Sequence, residues 1–578
     1  MKYNNIKLLF LGLILTLPFS CKDEFLNVTP NGSLDGSFFA TKEGVNNLLI
    51  GAYAMVDGVS SNGFGWEAAS SNWVFGSIRG LEANKGSDSG DQPAVNPIQT
   101  YTETPTNDYV RIKYGSLYEG ISRCNEMLKV LATAEANGTV TAEEADAFRR
   151  QARTLRGLFH FDAWRMWEKI CYIDETTDLT AVTNQESDVP AKILADLEQG
   201  ITLPNNMEQV GRFNGTVARV LLAKALMQMN KDYAKAQEHL QWVVDNGTAP
   251  DGSEIGLEEK YGDIFDIENR NGKESIYTVQ YSVNDGSGGW NGGWGEVLNF
   301  PYKSGGSPGG CCGFFQPSFD LVNSFKTVNG LPFLDDSYNN QPLKNDQGLA
   351  ATDDFTPDSN TPLDPRLDWT VGRRGLPYLD WGPHTGADWV RLQSYAGPYS
   401  PKKQVYKKGQ EGNQTEVGNW TSGYTANGYR MIRYADVLLL LAECQIETGN
   451  LDGARGNINK IRARAANSAG FVKNTDGSNA ANYVIAEYPA TGAPFDNKEN
   501  ALRALRMERK LELGMEGHRF FDLQRWGIVQ TELSRILTYE KGELPTLYLS
   551  ASVGPEDRLY PVPQNEIDLM GGRLVQNR

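Results

Sequence analysis

The sequence predicts a mainly α fold, a frame of αα-hairpins that carries long loop-rich insertions and minor β structure. A helix, stop, helix unit is written twice. The apolar run Val220 to Ala223, followed by Tyr233, Ala236, Leu240 and Val243, has the spacing of Leu438 to Leu441 followed by Leu451, Ala454, Ile458 and Ile461. Two further runs, Tyr109 to Leu131 and Glu143 to Ile170, are strongly helical, and Phe148, Ala152, Leu155, Phe159 and Met166 mark the buried face of the second. Between these blocks stand three aromatic, glycine-rich stretches, about residues 60–101, 286–315 and 366–406, which hold no sustained period.

In chain order, Lys2 and Lys7 precede an apolar run from Leu8 to Phe19 that is too short to span a bilayer and reads as a secretory signal, residues 1–20. Ser20-Cys21 resembles a bacterial lipoprotein cleavage site, with Pro18 departing from the usual pattern, so Cys21 is the expected lipidation site. Lys22-Asp23-Glu24 resembles signals that send lipoproteins to the outer face of the outer membrane, and residues 21–40 read as a tether. Val45 to Val56 is a helix ended by Asp57-Gly58, and Val189 to Ile201 a shorter one ended by Pro204. Ile276 to Tyr281 is a strand with Tyr277, Val279 and Tyr281 on one face. Pro317 to Lys326 is a short helix. The segment from Tyr429 to Ala466 is the second hairpin copy, its helices separated by Gly449 and Asn450. Glu499 to Gly517 is another helix, with Arg519 to Trp526 continuing it or packing behind it, and Pro561 and Pro563 exclude a helix over Leu559 to Asp568. No linker divides the chain, which predicts one interwoven domain over 41–578.

The chain has 578 residues and a formal net charge of −17, spread without an acidic tail. That sign repels phosphate backbones, and no basic stripe stands out, which argues against nucleic acid as a partner. Cys124, Cys171, Cys311, Cys312 and Cys444 are an odd number with no ladder of pairs, so this is not a disulfide scaffold. Cys311 and Cys312 are adjacent, and two readings stand: a free thiol pair, or a vicinal disulfide forming a small rigid plate beside a ligand.

Catalytic motifs are missing. His160, His239, His384 and His518 are scattered without metal-ligand spacing, and there is no nucleophile elbow or phosphate loop. Glu508, Glu512 and Glu516 share a helical face, but Arg503, Arg506, Arg509, Arg519 and Arg525 surround them, which predicts a structural ion-pair network instead of a metal site. A glycosidase needs just two carboxylates at the right separation, and composition singles out no pair. The expectation is a protein that is not an enzyme and uses no cofactor or metal.

Twelve Trp and 25 Tyr beside 60 Gly point to flat, weakly charged ligands such as sugars or peptides. An indole covers the apolar face of a sugar ring while carboxylates, amides and guanidinium groups bond to its rim hydroxyls. The first stretch supplies Trp66, Trp73 and Tyr101 with Glu82, Asp88 and Asp91; the second supplies Trp290 and Trp294, with Cys311 and Cys312. The third supplies Tyr395 and the pair Arg373 and Arg374, which with Lys402 and Lys403 could make a local basic patch.

These residues carry a family likeness over nearly the whole chain. Arg430 to Val437 with its leucine run, Glu508-Arg509 through Glu516-Gly517-His518-Arg519 to Arg525-Trp526-Gly527, and Leu559-Tyr560-Pro561-Val562-Pro563-Gln564 resemble the SusD/RagB family of outer-membrane nutrient-binding lipoproteins. Asn72-Trp73, Asp364-Pro365-Arg366 and the segment from Cys311-Cys312 to Pro317 are similar to one branch of it, although Leu81-Glu82 stands where that branch often has paired acidic residues. The resemblance implies a SusD-like fold on tetratricopeptide-like helical hairpins, a lipid anchor at Cys21 and no catalysis. It also implies a partner, a SusC-like TonB-dependent outer-membrane transporter to which captured oligosaccharide is delivered. Some relatives look like peptide binders, and that reading stays open beside the glycan one.

Overall fold

The computed structural model describes residues 39–577 apart from 62, 304, 305 and 419; the signal segment, Cys21 and most of the tether lie outside the described residues. Helix α1 (Lys42–Ala54) starts where the Thr41 side chain accepts from the Gly44 N–H, and it closes through a 3-10 turn at Gly58, whose φ of 89° suits glycine. Helices α2 (Asp108–Ala136) and α3 (Ala142–Trp167) form a long antiparallel pair, the first capped by Asn107 and the second by a Thr141–Glu144 capping box. The expected face of α3 is buried at Ala152, Leu155, Phe159 and Met166, and α4 (Val189–Gln199) packs against it.

Both copies of the repeat are αα-hairpins. Helices α5 (Gly215–Ala225) and α6 (Tyr233–Asn246) form the first, with a single π turn at Leu226–Asn230 between them. Helices α7 (Tyr434–Glu447) and α8 (Leu451–Ala465) form the second. Ala236, Leu240 and Val243 are fully buried, and so are the equivalent Ala454, Ile458 and Ile461. The copies meet through α6 and α7, and a Lys224–Asp436 ion pair of 2.7 Å joins α5 to α7. The main apolar core runs from Ala40 to Leu574, so both ends of the described chain feed it.

Several expectations are corrected. The second unit does not begin as a helix at Tyr429: Tyr429–Arg433 is a strand, antiparallel to β2 (Ser275–Val279), which answers to the strand expected over Ile276 to Tyr281, and α7 starts only after it. The helix expected to reach Gly517, α9 (Lys498–Leu513), ends four residues earlier, and of the two readings for Arg519–Trp526 the second holds: it is a separate helix, α10, behind α9. A helix α11 (Val529–Glu543) was not foreseen, although Val529, Leu533, Ile536 and Leu537 bury one face at helical spacing. Pro561 and Pro563 do keep their own positions out of a helix, but Gln564–Leu569 is helical from the residue after Pro563, which serves as its N-cap. The three aromatic stretches are not bare loops. The first holds a π turn (Trp73–Ile78) and strand β1 (Ala83–Gly86), which pairs antiparallel with β3 (Phe314–Pro317) of the second, and the third holds a short ladder between Val371–Gly372 and Ser400–Pro401.

Glu508 and Glu512 of α9 do sit in a buried ion-pair network, with partners other than the arginines named above; Glu516 joins it from the turn beyond Leu513, so the three do not share one helical face. Arg366 reaches Asp364, Glu508 and Glu512; Arg433 reaches Glu274, Glu512 and Glu516; Arg462 reaches Glu508; Arg464 reaches Glu274 and Glu512; and Lys403 reaches Glu516. Five cations face five carboxylates, so the cluster is neutral although every member is enclosed, which is what a buried charge needs. Burial pushes the Glu512 carboxyl up, and Arg464, Arg433 and Arg366 outweigh it and hold the group ionised. Arg509 and Arg525 form a neighbouring network with Asp436, Asp522 and Glu443.

Candidate functional site

Three rings stand out from the surface: Phe64 is 52 % exposed, Trp290 59 % and Trp420 42 %. They come from three separate loops, and beneath them Trp66, Trp294 and Tyr424 are buried. Phe64 stacks on Trp66 at 4.9 Å between ring centroids, and Trp290 stacks on Trp294 at 4.8 Å. The two buried indoles lie 6.0 Å apart, and Trp420 stands edge-on to both Trp66 and Tyr424 at 6.2 Å. Six aromatic side chains thus form one continuous cluster with an apolar, uncharged outer surface.

Local chemistry fixes each ring. Trp294 donates its indole N–H to the Gly289 carbonyl at 3.0 Å. Gly289 has a φ of 86°, and a Cβ there would come within 2.6 Å of the Tyr424 ring, so glycine is required for the loop to close over the tyrosine. Trp420 sits in the hairpin between strand β4 (Thr415–Glu416) and strand β5 (Tyr424–Thr425), and the Gly293 N–H donates to the Thr425 carbonyl, which ties this hairpin to the Trp290 loop. Asn284 binds the same hairpin through Glu416 at 2.8 Å.

Next to the cluster lies the segment 306–313. Thr421 donates its hydroxyl to the Gly309 carbonyl, and the Gly309 N–H donates to the Tyr406 hydroxyl. Cys311 and Cys312 are joined as a vicinal disulfide, the second of the two readings given for the pair, with Cys311 half-buried and Cys312 buried. The Gly313 carbonyl accepts from the Ser87 N–H, and Tyr302 and Arg391 stand beside Gly313. Arg391 pairs with Asp88 at 2.8 Å and Asp91 at 2.7 Å and lies over the Tyr302 ring at 5.5 Å. Burial pushes the Asp88 carboxyl up slightly, but the N–H groups of Gly90 and Asp91 and the Arg391 guanidinium hold it below the usual carboxylate range. This group is partly exposed and charged, suited to accepting from and donating to hydroxyls.

The structure divides the residues expected at the site. Trp290 is an open plate, Trp66 and Trp294 are its supports, and Asp88 with the disulfide stands on the adjoining polar rim. The others belong to the interior. Trp73 is 1 % exposed, enclosed edge-on by Phe314 and Phe315. Glu82 is buried, accepting from the Ser77 hydroxyl and the Met515 N–H, and burial raises its carboxyl to about 7. Tyr101 donates to the Arg79 carbonyl, and Tyr395 donates to Asn96. Arg373 is held by Asp368, Arg374 by the carbonyls of Ala350, Ala351 and Asp353, and Lys402 and Lys403 are likewise buried, so there is no basic patch here. Phe64, Trp420, Tyr424, Tyr302 and Arg391 were missed. Trp420 and Tyr424 flank the glycines Gly418 and Gly423, the same signal that marked Trp290.

Among the described residues no group of three or more His, Cys, Asp or Glu is placed to hold a metal ion, and no helix is long and apolar enough to cross a membrane.

Comparison with known proteins places this geometry in context. A family model described as the SusD family matches residues 273–578, and one described as starch-binding, associating with the outer membrane, matches residues 24–227. A SusD-like protein of Bacteroides ovatus is 21% identical over 290 residues, 48% of this chain, and the chain spans about half the length of that curated relative. Among solved structures, a SusD superfamily protein from Bacteroides vulgatus is 18% identical, with 93% of this chain and 99% of that chain covered and a TM-score of 0.63. Surface glycan-binding protein A from Bacteroides thetaiotaomicron, solved in complex with laminarihexaose, is 20% identical, with the same coverage and a TM-score of 0.63. At these identities the likeness shows the fold.

Proposed function

Because the chain belongs to the SusD family, we propose that it is a cell-surface lipoprotein that captures a neutral oligosaccharide on the surface made by Phe64, Trp290 and Trp420. The bound glycan is then delivered to a SusC-like TonB-dependent transporter in the outer membrane, with the chain held there by acyl groups on Cys21. The observation that carries this reading is the convergence of three exposed rings from distant loops on one buried pair of indoles. Exposed apolar rings in contiguous array mark a binding surface, and flat rings offer area to sugar faces without demanding charge. Asp88, Asp91 and Arg391, beyond the disulfide, would read hydroxyls at one end of the chain of sugars.

The test is a calorimetric titration of the mature chain against neutral glucans, laminarihexaose among them, with acidic glycans and peptides as comparison and product analysis of each mixture. Saturable binding of a neutral glycan without cleavage is expected. Cleavage, or binding of peptides alone, would overturn the proposal. Separately, Cys21→Ala is expected to release the protein from the membrane fraction.

A further inference from the structure

On the helical frame, sharing no residue with the aromatic surface, α9, α10 and α11 with the segment 334–338 line a half-open cavity of about 250 Å³. Five cationic side chains line it, Arg503, Arg506, Lys510, Arg519 and Arg535, against three carboxylates, Asp335, Asp336 and Glu532. Two carboxylates outside the lining, Asp320 and Glu499, pair with these cations, so five cations stand against five carboxylates and the cavity carries no excess of charge. Most of the cations are already engaged: Arg503 with Glu499, Lys510 with Asp320, Arg519 with Glu532, and Arg535 with Asp320 and Glu532.

Arg506 is different. Among the described residues it makes no ion pair and no hydrogen bond, and its Nε is shielded from water without an acceptor. Its guanidinium lies over the Trp526 ring at 5.3 Å, so the ring orients the fork while offering it no acceptor. Burial lowers its affinity for a proton and outweighs the nearby carboxylates Glu443, Glu447 and Glu532, none of which bonds to it. Native structures seldom leave such a group unmatched. Met507, Ile528 and Leu334 complete the walls, giving an apolar rim around one uncommitted guanidinium.

We propose that this cavity is a second ligand site, which takes a compact anion bearing a carboxylate or oxyanion group on the planar fork of Arg506. A guanidinium matches such a group through two parallel N–H bonds. The volume admits either an inorganic oxyanion or a single acidic sugar residue.

The test titrates the mature full chain with phosphate, sulfate, glucuronate and, as the uncharged control, glucose. Saturable binding of at least one anion is expected, with none for glucose and with weakening as salt rises. Arg506→Gln is expected to lower that affinity at least tenfold, and Arg506→Lys, which keeps the charge and loses the fork, to lower it by an intermediate factor. Preference for phosphate or sulfate would assign a free ion; preference for glucuronate would assign an acidic sugar. Absence of binding by every anion, or equal binding by wild type and a folded Arg506→Gln or Arg506→Lys variant, would overturn the proposal.

Discussion

Trp73 and Trp290 both stand on turns among glycine, serine and asparagine, and they differ in what covers them. Trp73 opens a π turn just before β1, and the pairing of β1 with β3 brings Phe314 and Phe315 against its ring. Gly517 completes the enclosure: with φ of 79° and no Cβ, it lets the frame approach the Ser71 carbonyl beside the tryptophan. Trp290 has a partner on one face, Trp294, and glycines where a second layer would be. A long-range strand pair turns an aromatic loop into core; its absence leaves a plate.

That contrast sets the size of what substitutions should do. The largest effects belong to the frame. Glu512→Ala leaves Arg366, Arg433 and Arg464 short of a shared counter-charge, and denaturant unfolding is expected to show a loss of about 3–5 kcal/mol. Trp73→Ala empties an enclosed site at a cost of about 3–5 kcal/mol, while glycan affinity per folded molecule stays unchanged. A folded, stable Trp73→Ala variant that no longer binds would break the distinction drawn here.

A comparable effect is tied to pH and is spread over several pH units. Burial raises the Glu540 carboxyl to about 8, against an ordinary value near 4.5, while Glu540 accepts from the Asp320 N–H. The folded state therefore keeps a proton that the unfolded chain has released between those values, and this residue's contribution to stability falls as pH rises through that window. Glu540→Gln is expected to flatten the profile by about 1.4 kcal/mol per pH unit within it. Unchanged slopes in the two proteins would remove this claim. Smallest of all, Arg391→Ala separates a half-exposed ion cluster, with a stability change below about 1 kcal/mol. A fall in glycan affinity without a matching fall in melting temperature would place the polar rim in the site.

The frame was legible because its signals are local. Repeated apolar spacings fixed both hairpins, and the family-like stretches from Arg430 to Val437 and from Glu508 to Trp526 turn out to be the strand, helices and charged network of the interior. The site was legible only in part. Glycines around Trp290 marked a ring with little to pack against, but the same reasoning misplaced Trp73 and Tyr395, whose partners Phe314 and Asn96 lie far away in sequence, and Tyr101, Arg373 and Arg374, whose partners Arg79, Asp368 and Ala350 are nearer but have no periodic pattern to mark them. The third exposed ring, Trp420, lies in a hairpin adjoining the second repeat, where the helical pattern drew attention away from it. Strand pairing across more than two hundred residues, as between β1 and β3, has no signature in a single sequence window.

The most direct measurement is a titration of Trp290→Ala beside wild type with the neutral oligosaccharide that wild type binds most tightly, together with the melting temperature of each. An exposed plate predicts stability within about 0.5 kcal/mol of wild type and affinity at least tenfold weaker. Wild-type affinity in the folded variant would contradict the account, because the glycan would then be held somewhere other than on the aromatic surface.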